Sequence, residues 1–283
     1  MRTPGLATLR SAVVQFRAIA TDLDGTLLRT DKSVSARTRD AVDAIEDAGL
    51  LFVIATGRPP RWIPPVIEQV GERGLVVCAN GGSIYDPARH EIVARTDIPA
   101  DDALAIIDLV EEAFPEAVLG VEQGFEFAAD TAIESTDFAL LESWKLGGMR
   151  VGPIRSFVTQ GVTKLIVRLP NDTPPGSAAA VQALVGDLAL VTHSTTESFL
   201  ELSHPDVHKA STVERLLLDS GIAPEEVVAF GDMPNDLALI EWAGLGVAVA
   251  NADPRLRAAA DEVTASNDDD GVALVLERIL TDL

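Results

Sequence analysis

The chain of 283 residues contains a single cysteine, Cys78. One thiol excludes a disulfide bond within the chain, and it excludes zinc and iron–sulfur sites built from clustered cysteines. Such a composition is compatible with a reducing compartment, and we therefore expect a cytoplasmic protein.

Basic residues are scarce. The sequence has 22 Lys and Arg against 44 Asp and Glu, which gives a formal net charge of −22 at pH 7. This charge repels nucleic acids and anionic membrane surfaces at long range, so we expect neither as a partner. The composition is nonetheless that of a globular protein, because 47% of the residues are hydrophobic.

Long hydrophobic runs are also missing. The apolar stretches have the length of strands, and none approaches the roughly 20 residues that cross a bilayer. Ser11 and Gln15 interrupt the apolar residues near the start, where a signal peptide would have a continuous hydrophobic centre. We predict that residues 1–15 form a frayed N-terminal extension.

From residue 16, apolar strand-like runs alternate with helical patterns, which is typical of a parallel sheet covered by helices. The predicted fold class is therefore α/β, with a Rossmann-like parallel-sheet core. The length is enough for roughly two domains, and the pattern changes after residue 84 to hairpin-like strands and a different element order. We predict a split core formed by 16–84 and 195–283, with a second α/β domain inserted at 85–194. Within the insert, 131–157 gives no clear signal.

Two carboxylates follow the first predicted strand, in Asp22-Leu-Asp24-Gly-Thr26. Residues two apart at a strand end face the same way, so Asp22 and Asp24 lie side by side. Paired carboxylates can bind a divalent cation or divide nucleophilic and acid–base roles. A simple turn is the alternative, since Asp and Gly are common after strands.

Polar groups also follow other predicted elements. Thr56 and Gly57 come after the second strand and before a helix, where free backbone N–H groups bind anions. An ordinary helix cap is the alternative, and it is the commoner reason for such residues when they are taken alone. Lys209 begins a helix, where a cation is unfavourable unless an anion is near. A solvated surface lysine is the alternative there.

A fourth group follows a later strand, in Gly231-Asp232-Met-Pro-Asn235-Asp236. A capping box explains Asp232 or Asn235 alone but not the whole group. Ligands in open α/β sheets bind beyond the carboxyl ends of the strands, so all four groups would converge on one crevice.

These four groups resemble, in order, the motifs of the haloacid dehalogenase superfamily, in particular the Cof-type phosphatases of subclass IIB with a C2-type α/β cap between the second and third motifs. Residues 22–26 resemble the first motif, Thr56 with Gly57 the second, Lys209 the third, and 231–236 the fourth. The resemblance runs from Ala18 over nearly the whole chain, except the middle of the cap.

The resemblance implies a Mg²⁺-dependent phosphatase that hydrolyses a small phosphorylated metabolite, such as a sugar phosphate or phosphorylated cofactor, through an aspartyl-phosphate. It assigns the nucleophile to Asp22 and the general acid and base to Asp24. The implied phosphate-binding residues are Thr56, Gly57, Lys209 and Asn235. The implied Mg²⁺ ligands are the carboxylates of Asp22 and Asp232 and the main-chain carbonyl of Asp24, with Asp236 supporting them.

Two alternatives stay open from the sequence. A phosphotransferase or phosphomutase would use the same intermediate but pass the phosphoryl group to a second substrate. A non-catalytic binding module would keep the fold and lose a motif residue, yet all are present. Dehalogenation is disfavoured because Asp24 and Asp232 would then have no role. We expect a monomer or a homodimer.

Overall fold

The computed structural model describes residues 15–131, 148–170, 172–193, 196 and 198–282. Most of the predicted N-terminal extension and most of the ambiguous stretch at 131–157 lie outside these residues. In the described part, no helix combines the length and the apolar character needed to cross a membrane.

The strands alternate with helices along most of the chain, as the sequence predicts. The strands are β1 Ala18–Thr21, β2 Leu51–Ala55, β3 Val76–Cys78, β4 Ser83–Asp86, β5 Glu91–Arg95, β6 Val118–Gln123, β7 Glu126–Ala129, β8 Met149–Val151, β9 Lys164–Arg168, β10 Leu190–Thr192, β11 Phe199–Ser203, β12 Val227–Gly231, β13 Leu245–Ala248 and β14 Glu262–Val263. The α-helices are α1 Ala36–Asp47, α2 Pro64–Val70, α3 Ala100–Ala113, α4 Ser177–Val185, α5 Lys209–Leu218, α6 Leu237–Trp242, α7 Pro254–Ala259 and α8 Gly271–Asp282. Short 3₁₀ turns at Pro60–Trp62 and Pro234–Asp236 precede α2 and α6.

An eight-stranded sheet has the order β14-β13-β12-β1-β2-β3-β4-β5. The six strands from β14 to β3 pair in parallel, and β4 and β5 add an antiparallel hairpin at one edge. A six-stranded sheet, β10-β11-β9-β6-β7-β8, is antiparallel except for the β7–β8 pair. The predicted α/β class with a parallel core sheet and a second, smaller sheet is confirmed.

Both faces of the large sheet are buried, which explains the continuous apolar runs of its central strands. In β1, Ile19 packs on the face covered by α1 and α8, whereas Ala18 and Ala20 pack on the face covered by α5 and α6. Alanine on the second face leaves room for helix α5, which carries Lys209 at its first position. The sheet therefore fixes that lysine close to the end of β1.

The chain passes from the large sheet to the small sheet, and back again, at later residues than the two predicted domain boundaries. Strands β4 and β5 extend the large sheet, although the sequence places 85–95 in the insert. Strand β11 pairs with β9 and β10 in the small sheet, although the sequence places it in the core. A short antiparallel strand can join the edge of either sheet, so its local pattern does not identify which one. On this criterion we propose that the cap runs from about residue 97 to residue 205.

Candidate active site

Three adjacent parallel strands bring the predicted site residues to one edge of the large sheet. Thr21 at the end of β1 lies level with Phe230 in β12 and with Ile54 in β2, so Asp22, Asp232 and Thr56 emerge side by side. A cavity of about 630 Å³ opens at this edge. Six of the eight predicted site residues line it, namely Asp22, Asp24, Thr56, Gly57, Asp232 and Asn235. The other two, Lys209 and Asp236, do not line the cavity, and they lie on the side of Asp22 that faces the protein interior.

Lys209 is buried between two carboxylates. Its Nζ donates to Asp22 Oδ1 at 2.5 Å and to Asp236 Oδ1 at 2.6 Å. Burial alone would lower the pKa of Lys209, but the two carboxylates outweigh it and raise this pKa above the ordinary lysine value. The lysine is therefore charged, and because it engages Oδ1 of Asp22, Oδ2 is the oxygen available to a ligand.

The start of helix α5 explains how the lysine is held in place. His208 is the N-cap, and its Nδ1 accepts a hydrogen bond from the backbone N–H of Ser211 at 3.2 Å. The capping bond satisfies a free helix donor, which offsets the unfavourable placement of a cation in the first turn. The paired carboxylates supply the anionic partner that the sequence position of Lys209 suggests.

Asp236 uses both of its oxygens within the protein. Oδ2 accepts from the backbone N–H groups of Asp232 and Met233, each at 3.1 Å, and Oδ1 accepts from Lys209. The three hydrogen bonds that Asp236 accepts hold the loop after β12 against Lys209. The supporting role that the resemblance implies for Asp236 stays a prediction.

Carboxylate oxygens of Asp22, Asp232 and Asp236 lie within 4.8 Å of one another. Burial, followed by the charge of Asp236, raises the pKa of Asp232 to about 7. Burial is also the largest cause that raises the pKa of Asp22 well above its ordinary value. Three carboxylates beside one lysine leave excess negative charge, and hard oxygen donors suit a divalent cation. Asp22 and Asp232 could therefore hold a metal ion.

The backbone leaves room for Asp232 at this point. Gly25 has a φ of +82°, and a Cβ placed there would lie 2.3 Å from Asp232 Oδ2. Thr26 Oγ1 donates to Asp232 Oδ1 at 3.1 Å, which orients the carboxylate and leaves Oδ2 for a ligand. The glycine of the first motif thus lets the loops after β1 and β12 approach each other closely.

Asp24 faces two cations instead of the other carboxylates. Arg58 donates from Nε and Nη2 to its two oxygens at 2.6 and 2.7 Å, and Lys32 Nζ donates to Oδ1 at 2.8 Å. Burial alone would raise the pKa of Asp24, but these cations outweigh it and lower the pKa to about 2. The carboxylate is thus ionised, and its main-chain carbonyl is the oxygen left for the predicted metal role.

The predicted phosphate-binding loop has free donors toward the cavity. Thr56 Oγ1 accepts from the backbone N–H of Arg58 at 3.1 Å, so its hydroxyl hydrogen can still be donated to a ligand. Asn235 Nδ2 donates one hydrogen to Asn80 Oδ1 at 3.0 Å and keeps the other. Asn80 adopts a left-handed backbone with φ of 56°, a region that asparagine tolerates better than most residues.

Charged residues of the cap form the opposite wall, and the sequence analysis missed them. Lys164 Nζ, on β9, donates to Glu201 Oε1 at 2.6 Å and crosses to the large-sheet loop to donate to the carbonyl of Gly57 at 2.9 Å. Arg61 Nη2 donates to Glu122 Oε1, on β6, at 3.0 Å. The sequence feature that could have indicated these residues is a charged residue within an otherwise apolar strand, as in Lys164-Leu-Ile-Val and Leu-Glu201-Leu.

Comparison with known proteins identifies the family of the chain. A sequence model described as haloacid dehalogenase-like hydrolase matches residues 19–276. The chain is 28% identical over 269 residues to the 5-amino-6-(5-phospho-D-ribitylamino)uracil phosphatase YitU of Bacillus subtilis, covering 92% of this chain and 96% of that protein. It is 28% identical to a phosphoglycolate phosphatase of Methanothermobacter thermautotrophicus, covering 94% of this chain and 99% of that protein.

A solved structure agrees as well. The crystal structure of a haloacid dehalogenase-like hydrolase from Bacteroides thetaiotaomicron superposes with a TM-score of 0.76 at 29% identity, covering 94% of this chain and all of that chain. The sequence match spans both sheets and all four groups of site residues. The chain belongs to the haloacid dehalogenase-like hydrolase family, as its motifs predict.

Proposed function

We propose that the protein is a Mg²⁺-dependent phosphatase that hydrolyses a small phosphate monoester through an aspartyl-phosphate on Asp22. The observation that carries this proposal is the placement of Asp22, with Oδ1 held by Lys209 at 2.5 Å and Oδ2 left for a ligand in the cavity. Two of the relatives above are named phosphatases, which supports the same reaction class.

In the first step, Asp22 Oδ2 attacks phosphorus in line and the bond from phosphorus to the ester oxygen breaks. The departing alkoxide takes a proton from the carboxyl group of Asp24, and an aspartyl-phosphate remains on Asp22. The covalent intermediate divides one difficult hydrolysis into two easier steps. Proton donation of this kind contributes on the order of 10²- to 10⁴-fold to the rate.

In the second step, a water molecule attacks phosphorus of the aspartyl-phosphate and gives a proton to the carboxylate of Asp24. The bond from phosphorus to Asp22 breaks, which regenerates the carboxylate and releases inorganic phosphate. The base form that this step needs is the form that Arg58 and Lys32 favour, since they lower the pKa of Asp24 to about 2.

The acid form of Asp24 needs a change of surroundings. An incoming phosphoryl group brings negative charge beside Asp24, which raises the pKa of that carboxyl group. The same group competes with Asp24 for the guanidinium of Arg58, since Arg binds phosphate and carboxylate with similar geometry. Substrate binding thus prepares Asp24 to donate the proton that leaves with the alkoxide.

Four residues would hold the phosphoryl oxygens: Thr56, Gly57, Asn235 and Lys209. Phosphoryl transfer depends mainly on such positioning and on charge stabilisation. Asp22, Asp232 and the main-chain carbonyl of Asp24 would hold Mg²⁺, which supplies positive charge to the transferring group. Asp236 would keep Lys209 and the loop after β12 in place.

Release of inorganic phosphate from a panel of small esters tests the proposal. We expect wild-type release that needs Mg²⁺, and we expect Asp22→Asn to reduce it by roughly a thousandfold or more because the nucleophile is lost. Asp40→Asn, on the exposed face of α1, is the matched control. Release by Asp22→Asn at the wild-type rate would contradict the aspartyl-phosphate route.

The same assay separates the alternatives. Loss of the ester that needs an added acceptor, and that yields the phosphorylated acceptor in place of inorganic phosphate, would indicate a phosphotransferase. No loss of any ester, with or without an acceptor, would indicate a binding module. The composition supports action in the cytoplasm, because the one cysteine, Cys78, is buried and unpaired.

A further inference from the structure

The part of the cavity formed by α2, its preceding turn and the cap sheet is mostly apolar. Trp62 and Val66 line it from the large-sheet domain, and Ile166 and Phe199 line it from the small sheet. The hydroxyl groups of a sugar would lose their hydrogen bonds to water against these side chains. A flat ring would lose little and would gain contacts with the two aromatic side chains.

The charges in the cavity wall are already compensated. In the described part of the chain, each cationic side chain that lines the cavity has a carboxylate partner: Lys32 and Arg58 with Asp24, Arg61 with Glu122, and Lys164 with Glu201. The side chains of Arg61 and Lys164 are only 4% and 2% exposed, so breaking either pair would separate charges that are buried together. The wall therefore disfavours a second anionic group on the substrate.

Three buried donors in the same wall have no acceptor among the described residues. They are Arg61 Nε, Arg61 Nη1 and Trp62 Nε1. Cζ of Arg61 lies over the Trp62 ring, 5.1 Å from its centroid, and over the Phe127 ring, 5.2 Å from its centroid. The rings attract the positive charge of the guanidinium, but its N–H groups still need acceptors.

We propose that the leaving group is a flat heteroaromatic ring, free of any second phosphate or carboxylate, with a carbonyl or ring-nitrogen acceptor that faces Arg61 and Trp62. The inference rests on the proposed function for the place of the phosphoryl group beside Asp22. The ring fills the apolar part of the cavity, and its acceptor pairs with one of the buried donors once the side chain of Arg61 or Trp62 has turned toward it. The names of the relatives do not decide the point, because the two reported above differ in their leaving groups.

Binding of uncleaved esters to Asp22→Asn tests this proposal without requiring turnover. Isothermal titration with Mg²⁺ at pH 8, where a simple pyridine ring is uncharged and its nitrogen accepts, would compare 4-pyridylmethyl phosphate, benzyl phosphate, 4-carboxybenzyl phosphate and glucose 6-phosphate. We expect 4-pyridylmethyl phosphate to bind at least about tenfold more tightly than glucose 6-phosphate, and benzyl phosphate to bind more tightly than its carboxylate derivative. Equal or reversed affinity in either pair would overturn the proposal.

Turnover of the same esters and of acetyl phosphate by the wild type distinguishes the two levels of inference. Hydrolysis of acetyl phosphate that needs Asp22, together with the wrong binding order, would refute the proposed ring in the leaving group but not the phosphatase activity. The expected binding order without any hydrolysis would refute the phosphatase activity but not the binding site for the ring.

A matched pair of tryptophan variants tests the acceptor. Trp62→Phe keeps an aromatic ring and removes only the donor, so in the Asp22→Asn background it should weaken the binding of 4-pyridylmethyl phosphate about threefold to tenfold and leave that of benzyl phosphate within twofold. Trp242→Phe removes an equally unpartnered indole donor from helix α6, away from the cavity, and should change neither affinity. An equal loss for both esters in Trp62→Phe, or no loss, would contradict the donor role.

Discussion

Asp232 carries negative charge that the surrounding side chains do not neutralise. Its pKa is raised to about 7 by burial and by Asp236, and a bound cation would remove this cost. We expect Asp232→Asn to raise the free energy of unfolding of the metal-free protein at pH 8, on the order of 1–3 kcal/mol. The amide still accepts from Thr26, so the hydrogen bond at 3.1 Å is kept. Thermal unfolding with and without Mg²⁺ measures the effect, and the variant should lose the stabilisation by Mg²⁺.

The raised pKa of Asp232 also predicts how the stability of the metal-free protein changes with pH. A carboxyl group with a folded-state pKa of about 7 and an unfolded value near 3.9 binds its proton more tightly when folded. Its contribution therefore makes the metal-free wild type less stable as pH rises from about 4 to about 7, and this decline should be smaller in Asp232→Asn. Asp40→Asn should follow the wild type. An identical pH profile for Asp232→Asn would show that the carboxylate is already neutralised.

Substitution of Gly25 tests whether its close approach to Asp232 matters for metal binding. Both Gly25 and Gly49 have positive φ, +82° and +88°, but a Cβ at Gly49 meets nothing within 4 Å, whereas a Cβ at Gly25 would meet Asp232. We expect Gly49→Ala to cost about 1 kcal/mol of stability and to keep full activity. Gly25→Ala should have a similar strain and also lose Mg²⁺ affinity, by about tenfold or more. Equal Mg²⁺ affinity in both variants, measured by titration, would contradict the argument.

At the level of residues, sequence spacing predicts groups that lie at strand ends. Asp22, Thr56 and Asp232 each follow a strand directly, so the parallel sheet alone brings them together. The pairing of Asp24 with Arg58 and Lys32 was not predictable, because it depends on how two loops meet in three dimensions. The roles of Asp22 and Asp24 stay predictions until variants are measured.

Single elements carry the connection between cap and core. Lys164 on β9 is one of four lysines in the sequence, and its buried Nζ joins Glu201 on β11 to the carbonyl of Gly57. We expect Lys164→Met to destabilise the protein by about 3–5 kcal/mol, because two buried carboxylates, Glu201 and Glu122, would lose a buried cation beside them. Lys164→Met with Glu201→Gln should recover most of this loss. Denaturant unfolding of the single and double variants measures the difference.

An exposed ion pair provides the control for that experiment. Arg278 donates to Glu262 at 2.6 Å near the surface, and Arg278→Met should cost no more than about 1 kcal/mol. If the double variant is as unstable as Lys164→Met alone, the lysine contributes through packing and not through its charge. Loss of turnover in the stable double variant would show that the bond to Gly57 also positions the phosphate-binding loop.

Element assignment from sequence was reliable for the buried parallel strands and weaker at the edges. Strands β1, β2 and β12 are continuous apolar runs with a helix between successive strands, and that pattern permits only a covered parallel sheet. Strand β5 alternates exposed and half-buried residues, which is compatible with the edge of any sheet. The partner of an edge strand is decided by packing beyond its own sequence.

The whole molecule carries a net charge of −22, which opposes the approach of a dianionic phosphate ester. At about 10 mM ionic strength the screening length is roughly 30 Å, so much of this charge acts on the ester before it enters the cavity. At about 150 mM the screening length is roughly 8 Å, and only charges close to the site still act. The cations near Asp22 and Asp24 then determine the local attraction.

We therefore expect kcat/KM to rise about threefold or more when the ionic strength increases from about 10 to about 150 mM at fixed Mg²⁺. The change should come from a lower KM, with kcat almost constant, because screening alters the encounter and not the chemistry of the bound ester. Initial rates over a range of ester concentrations at each salt concentration give both constants. A kcat/KM that falls with salt would show that the cations of the site outweigh the net charge of the molecule even at long range.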